Sequence, residues 1–366
     1  MDSIDDFDYV LPEGQIAQRP LAHRDASRML LLDRKTGQLR DDRFVNLPRL
    51  LRGNELLVVN NARVIPARLF AHREGVRAQI AEGKGSRAGM PRARIEVLLV
   101  RHLRDDHWEA LVRPGRKVRV GERLRIDGQD LEAEVIGRGL YGVRQLRFSG
   151  APNILAAIEH AGHVPLPPYI RRNDEPADRE RYQTVFATRP AAVAAPTAGL
   201  HFTPNVLAEI RSRGVEICEI TLEVGLGTFQ SVHAADLDRH VMHSEGYEIA
   251  PSAARAIASA RRSGRPILAV GTTVVRALED AAVKAADRGA VPCDVAPGHA
   301  TAEIFIRPGH QFALVDQLLT NFHLPRSTLL VLVAAFAGRE ATLSAYRHAV
   351  ADGYRFYSYG DCMLIR

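Results

Sequence analysis

Lysine is nearly absent from this chain: four residues (Lys35, Lys84, Lys117 and Lys284) stand against 45 arginines. Cysteine is scarce too. Cys218, Cys293 and Cys362 lie far apart with no CxxC spacing, which argues against both a disulfide framework and a cysteine zinc site. No apolar run approaches the ~20 residues of a membrane span. The longest, Leu329–Gly338, has ten residues flanked by Arg326 and Arg339 and reads as a buried helix. The opening MDSIDDFDYVLPEG is acidic and lacks the basic and apolar regions of a secretory signal. The compartment expected from these absences is the cytoplasm.

What is present is ordinary globular composition, 46% hydrophobic and 25% charged over 366 residues. Single cores stop growing near ~250–300 residues, so two domains are expected. The net charge of +6 is unevenly spread. Residues 67–150 hold 18 Lys+Arg against 11 Asp+Glu, a net of +7, and the remainder nets −1. Arginine's planar fork suits phosphate, and a basic patch on a small domain can be the footprint of a nucleic-acid backbone. Compositional bias towards arginine and alanine, or a solvated basic surface, explains the same counts.

Residues 67–150 also differ in texture. Short β-type runs (Ile95–Arg101, Trp108–Val112, Lys117–Val120, Arg123–Ile126, Leu131–Ile136, Val143–Phe148) alternate with turn signals such as Pro114-Gly115 and Asp127-Gly128, the pattern of a small antiparallel barrel. Glu82–Arg94 reads as a flexible loop by composition. Beyond Ala151 strands alternate with helices. Thr203 caps a helix opened by Pro204 and stopped by Gly214. Val215–Val224 is a strand, helices run over Ser252–Ser263 and Val274–Arg288 about the strand Arg265–Val270, and Ser327 caps a helix ending at Gly338. That alternation points to a largely parallel sheet, which Glu55–Asn60 can join. The expected architecture is α/β: a discontinuous large α/β domain (1–66 and 151–366) with an inserted small antiparallel β-barrel (67–150).

Polar loops cluster where strands meet helices. Gly271-Thr272-Thr273 joins a strand to a helix, where free N–H groups and the helix dipole suit a carboxylate, phosphate or ribose; an ordinary cap is the plainer reading. Pro196–Thr203 places His201 before a capped helix, and Gly225–Thr228 ends a strand. His240 and His243 are three apart, with His233 nearby, which suits either a metal site or acid–base work. Thr320–Pro325, with Asn321 and His323, precedes another helix cap. Singly these signals are weak. Their density over 196–330 argues for one polar pocket at the strand ends.

These motifs, namely PTAGLHFT (196–203), VGLGTF (224–229), HVMHSE (240–245), AVGTTVVRALE (269–279), TNFHLPRSTLL (320–330) and YRFYSYGDCMLI (354–365), closely resemble the S-adenosylmethionine:tRNA ribosyltransferase-isomerase family. So do IAQRPLAHRDASRMLLLDR (16–34), RVIPARL (63–69), PLPPYIRR (165–172) and DRERYQTVFA (178–187). The resemblance runs from about Leu11 to Ile365. It implies transfer of the ribosyl part of S-adenosylmethionine to a 7-aminomethyl-7-deazaguanine wobble base in tRNA, with isomerisation to epoxyqueuosine and release of adenine and methionine. It also implies an α/β domain with an inserted barrel, and no metal.

Under that resemblance His201, His243 and His323 are candidates for the proton transfers. Glu223 and Glu245 would face the sulfonium or ammonium, and Arg276 the carboxylate. Gly271, Thr272 and Thr273 would hold a carboxylate or ribose. Asn61, Arg63, Thr197, Gly199, Gly227, Thr228 and Asn321 complete the substrate-binding set. Arg113, Arg116, Lys117 and Arg119 are the expected contacts to tRNA, with the chain acting as a monomer. The sequence departs from the family at Asn61-Ala62 (Asp-Thr expected), Glu223 (His), Leu226 (Ala) and Gly246 (a bulky residue). Rival readings are a tRNA methyltransferase, a metal-dependent hydrolase built on His233, His240 and His243, and a non-catalytic RNA-binding protein using the barrel. The first lacks a glycine-rich loop after an N-terminal strand.

Overall fold

The computed structural model describes residues 3–74, 94–139, 142–223, 237, 242 and 244–366. The expected loop over Glu82–Arg94, apart from Arg94, lies outside them, as do Gly225–Phe229. The chain forms two compact units. One comprises Met1–Arg63, Pro167–Arg172 and Glu180–Arg366, the other Val64–Leu166 and Asn173–Arg179.

The first unit is built on a nine-stranded sheet. Its strands in chain order are β1 (Arg28–Leu32), β2 (Leu39–Arg43), β3 (Leu56–Asn60), β12 (Glu216–Glu223), β13 (Glu245–Ile249), β14 (Ile267–Val270), β15 (Gly298–Ala302), β16 (Gln317–Asn321) and β17 (Cys362–Ile365). The numbers between belong to β4 (Ala62–Val64), β11 (Arg189–Ala192) and the barrel strands below. The spatial order is β15-β13-β12-β3-β14-β16-β17-β1-β2. Every residue of β3, β14, β16 and β17 is buried. Alternate side chains feed two cores, as the period of two requires. Leu30, Val58, Ala269 and Ile365 face one core, and Leu31, Val59, Leu268 and Leu364 the other.

Helix α1 (Pro204–Ser212) packs in the second of these cores. Helices α2 (Pro251–Arg262), α3 (Thr272–Asp287), α4 (Thr328–Ala337) and α5 (Arg339–Ala351) pack in the first. The caps read from the sequence are present. Thr203 Oγ1 accepts from Val206 N at 3.2 Å, and Ser327 Oγ accepts from Leu330 N at 3.3 Å.

The sheet is less parallel than the alternation of elements suggested. The centre, β12-β3-β14-β16, is parallel throughout. The pairs β15/β13, β13/β12, β16/β17 and β1/β2 are antiparallel. A single crossover helix returns the chain to the starting edge and gives a parallel partner. Between β16 and β17 there are instead two helices, bent by 116° about Gly338, so β17 enters from the far edge.

The second unit contains a closed barrel of order β10-β7-β6-β5-β8-β9, every pair antiparallel. Its strands are β5 (Arg68–Glu74), β6 (Ile95–Arg104), β7 (His107–Arg113), β8 (Arg123–Ile126), β9 (Glu132–Arg138) and β10 (Val143–Ser149). Side chains fill so small a barrel; Trp108, Ala110, Val112, Leu146 and Phe148 are buried in alternation. Lys117–Val120, expected as a strand, is not one: Gly115–Lys117 is a short 3-10 turn. The guanidinium of Arg144 donates to Gly115 O (3.1 Å) and Val118 O (3.2 Å), which takes these carbonyls out of any ladder.

Candidate active site

Because β12, β3, β14 and β16 run parallel, their carboxyl ends share one edge, where open α/β sheets bind ligands. β3 ends there at Asn60, β12 at Glu223, β14 at Val270 and β16 at Asn321. β17 is antiparallel to β16, so the residues that precede Cys362 reach the same edge.

A cleft of about 150 Å³ opens at this edge, wholly within the first unit. Two helix N-termini line it. Gly271, with φ of 96°, turns the end of β14 into α3, and its N–H donates to Leu319 O at 2.8 Å. A side chain is strained at that φ. No side chain caps α3, so the first-turn N–H groups around Thr272 and Thr273 remain to bind an anion or a hydroxyl. The start of α4 contributes Ser327 and Leu329. Thr197, Asn321, His323, Tyr169, Tyr357 and Ser358 are also among its lining residues.

His323 is 8% exposed, and its Nε2 lies 2.9 Å from Thr320 Oγ1. Tyr346 Oη accepts from its backbone N–H at 3.1 Å, and Tyr9 Oη donates to its carbonyl at 2.5 Å. Burial lowers the imidazole to about 3, so at neutral pH it is uncharged.

His201 is placed differently. It is 3% exposed and does not line the cleft. Its Nδ1 lies 2.9 Å from Ser27 Oγ and its Nε2 3.1 Å from Asn321 Oδ1. Asn321 Nδ2 donates to Tyr357 O at 2.8 Å, which leaves its Oδ1 to accept, so His201 Nε2 carries the hydrogen. Burial lowers this imidazole to about 4.

Glu245 and Arg276 pair at 3.0 Å, with side chains 7% and 5% exposed. They line a hollow next to the cleft that shares Thr272 and Thr273 with it. Arg276 also donates to Ile304 O (3.0 Å) and Ala302 O (2.9 Å). Its fork is therefore occupied by protein groups, and each charge answers the other.

Of the residues expected from the sequence, the cleft gathers Thr197, Gly271, Thr272, Thr273, Asn321 and His323. Gly199 is not in its lining. A Cβ there would meet Phe186 Cζ at 2.7 Å and Thr184 Cγ2 at 2.8 Å, so this glycine serves close packing. Gly199→Ala is expected to destabilise by about 1–3 kcal/mol through overpacking; unchanged urea unfolding would contradict that role. Asn61 is bound within the protein: its Nδ2 donates to Glu219 Oε2 (3.1 Å) and its Oδ1 accepts from Thr221 Oγ1 (2.7 Å). Arg63 is half-buried on β4 and outside the cleft lining.

Glu223 is exposed and stands opposite Gly246 on β13. A Cβ at 246 would come within 2.5 Å of Glu223 Oε2. Glu223 and Gly246 thus form one arrangement, a carboxylate lying across a strand position that has no side chain. Gly227, Thr228, His233, His240 and His243 fall outside the described residues, as does Leu226.

Tyr169, Arg326, Tyr357 and Ser358 were not anticipated as site residues. The cleft holds two of the three non-glycine residues with positive φ among the described ones, Arg326 (56°) and Tyr357 (73°). Such strain is uncommon and concentrates at functional sites. Both tyrosines fall inside stretches that resemble the family (165–172 and 354–365), but nothing in a tyrosine's neighbours announces a left-handed backbone.

Among the described residues one group, Asp41, His348 and Asp352, brings potential metal-ligand atoms together at the surface. Arg28 lies 3.3 Å from Asp41 and 3.7 Å from Asp352, and Tyr354 Oη donates to Asp41 at 2.5 Å. These charges are already answered by protein groups.

On the barrel, Arg73, Arg94, Arg101, Arg125 and Arg147 are held by carboxylates at 2.6–3.3 Å. Arg113, Arg116 and Arg119 are exposed, and no ion pair among the described residues involves them. The side chain of Lys117 is outside the described part. Arg123, which opens β8, is a further exposed arginine beside this group.

The family model described as "Queuosine biosynthesis protein" matches residues 4–365. The S-adenosylmethionine:tRNA ribosyltransferase-isomerase of Solibacter usitatus is 50% identical over 367 residues, covering 99% of both chains. The protein of the same name from Moorella thermoacetica is 50% identical over 363 residues with the same coverage. Among solved structures, the S-adenosylmethionine tRNA ribosyltransferase of Thermotoga maritima is 37% identical with a TM-score of 0.52, over 99% of this chain and 100% of that one. From the carboxyl-edge cleft, the closed barrel and this end-to-end match, the chain belongs to the queuosine biosynthesis protein family.

Proposed function

We propose that this chain transfers the ribosyl part of S-adenosylmethionine to the 7-aminomethyl-7-deazaguanine wobble base of tRNA and isomerises it, giving epoxyqueuosine-tRNA, adenine and methionine. The observation that carries the reading is 50% identity, over 99% of both chains, to relatives named for this activity. A methyltransferase reading has no counterpart among those names. In this account the enzyme works as a monomer in the cytoplasm, on the anticodon loop, without a metal. Residues 1–66 and 151–366 hold the reaction, and residues 67–150 meet the RNA. Among the described residues, no single helix is long and apolar enough to cross a membrane.

The cleft supplies recognisable parts of such a reaction. A sulfonium acidifies the C–H bonds beside it, so a base at the 5′-carbon starts ring opening, and an acid assists the departure of adenine. His323, uncharged and on the cleft wall, is a candidate for the base by its position and not by its basicity, since a group lowered to about 3 takes up a proton poorly at neutral pH. His243 and the carboxylates of Glu223 and Glu245 are the other candidates, and Gly227 and Thr228 belong to the proposed substrate-binding set. The open N-terminus of α3 suits a ribose hydroxyl or the donor's carboxylate. At about 150 Å³ the cleft is smaller than the ~300–1,000 Å³ of a pocket for a drug-sized ligand, so the donor extends beyond it.

Two experiments test the reading. With S-adenosylmethionine labelled separately in ribose and methyl, the ribose label alone is expected in the RNA. Methyl label there would make the chain a methyltransferase. Changing Arg113, Arg116, Lys117 and Arg119 to Glu is expected to weaken tRNA binding and to reduce the slope of log affinity against log salt by about 3–4. An unchanged slope would move RNA docking away from this turn.

A further inference from the structure

Tyr357 lines the cleft in a backbone conformation that a bulky residue rarely adopts, with φ of 73°. Three hydrogen bonds hold it there. Its N–H donates to Phe322 O (3.2 Å), and its carbonyl accepts from Gly360 N (2.9 Å) and from Asn321 Nδ2 (2.8 Å). Its ring meets that of Tyr169 with centroids 4.1 Å apart and planes tilted by 45°, and Tyr169 Oη lies 2.6 Å from Ser358 Oγ. Behind Asn321 stands His201, buried, outside the cleft lining and bonded at both ring nitrogens.

An asparagine amide can sit in two orientations, and only one presents its NH₂ to the Tyr357 carbonyl. A neutral imidazole that donates from Nε2 selects that orientation. Ser27 has one hydroxyl hydrogen; with Nε2 as the imidazole N–H, the hydroxyl donates to Nδ1 at 2.9 Å in place of Arg24 O at 3.1 Å, and so anchors the other ring nitrogen. We infer that His201 is a positioning residue: through Asn321 it holds Tyr357 in its left-handed conformation, so that Tyr357 and Tyr169 form an aromatic wall for a flat, purine-like base. The inference rests on the proposed reaction for the identity of the base, the adenine of the donor. Its structural part stands independently.

Asn321→Asp keeps shape but replaces the donor to Tyr357 O by an acceptor. His201→Ala removes the selector, and His201→Gln keeps a donor near the place of Nε2 without a titrating group. Binding of S-adenosylmethionine is measured by equilibrium dialysis, and single-turnover rates are followed against pH. Asn321→Asp and His201→Ala are expected to weaken donor binding more than tenfold. His201→Gln is expected to recover binding and rate to within about threefold of wild type, with the pH profile unchanged. If His201→Gln binds the donor normally but has lost its rate, His201 is a proton-transfer group and the inference falls.

The structural part is read by urea unfolding. The loss of midpoint caused by Asn321→Asp is expected to be less than half as large when residue 357 is changed by Tyr357→Gly, since glycine needs no clamp at that φ. Equal losses in both backgrounds would overturn the clamp. Absence of donor binding by the wild-type protein would overturn the proposed reaction, while this cycle would still decide the clamp.

Discussion

Glu245→Ala is expected to lower the unfolding free energy by about 3–5 kcal/mol, because it removes the carboxylate that lies 3.0 Å from the buried, charged Arg276 guanidinium. Against the ~5–15 kcal/mol by which domains are normally stable, this is a large fraction. The effect belongs to the broken pair and not to Glu245 alone, so Glu245→Ala combined with Arg276→Met is expected to recover most of the loss. Urea unfolding of the two single variants and the double variant measures the coupling. Additive losses would show that the two side chains do not compensate each other. The same pair bears on catalysis. A carboxylate committed to Arg276 stabilises a cationic donor less than a free one, so Glu245 acts first by holding β13 against α3, beside the open N-terminus that lines the cleft.

Lowering the pH from 7.5 to 5 is expected to remove about 4 kcal/mol of stability, about 2 kcal/mol from each of two histidines. An ordinary imidazole titrates near 6.5, whereas burial lowers His201 to about 4 and His323 to about 3. Between those values the unfolded chain binds protons that the folded chain refuses. Stability therefore rises with pH through this window and is lost as the pH falls from about 6.5 towards 4. Burial raises the carboxyl of Asp361 above its ordinary value, which acts in the opposite direction and only nearer the carboxylate range. Urea unfolding at several pH values checks the slope. His201→Gln should remove about 1.4 kcal/mol per pH unit of it in the middle of the window. A wild-type slope equal to that of the variant would show that His201 titrates normally.

The layout of the fold was legible where chemistry is local. Thr203 with Pro204, and Ser327 with its apolar helix, announce themselves by capping. The barrel strands show in their alternation, and Gly271 marks a turn at the cleft whose positive φ is met by a glycine. Long-range pairing was not legible. Whether β17 enters parallel or antiparallel depends on two helices bending at Gly338, which a run of apolar residues does not specify. His201 and His323 look alike in sequence, each in a polar loop before a helix cap. Only the tertiary fold puts one behind the cleft and the other on its wall. Arg144 falls on the inward phase of β10, a polar residue where the alternation calls for an apolar one. That mismatch is the signal that would have shown the Gly115–Val118 turn to be tied down.

The most direct test of the central claim is mass spectrometry of an anticodon stem-loop carrying the 7-aminomethyl-7-deazaguanine wobble base, after incubation with this protein and S-adenosylmethionine. The stem-loop is expected to gain the mass of the ribosyl-derived group, with adenine and methionine released in equal amounts. A stem-loop heavier by a methyl group, with S-adenosylhomocysteine released, or an unmodified stem-loop recovered from folded and RNA-bound protein, would contradict it.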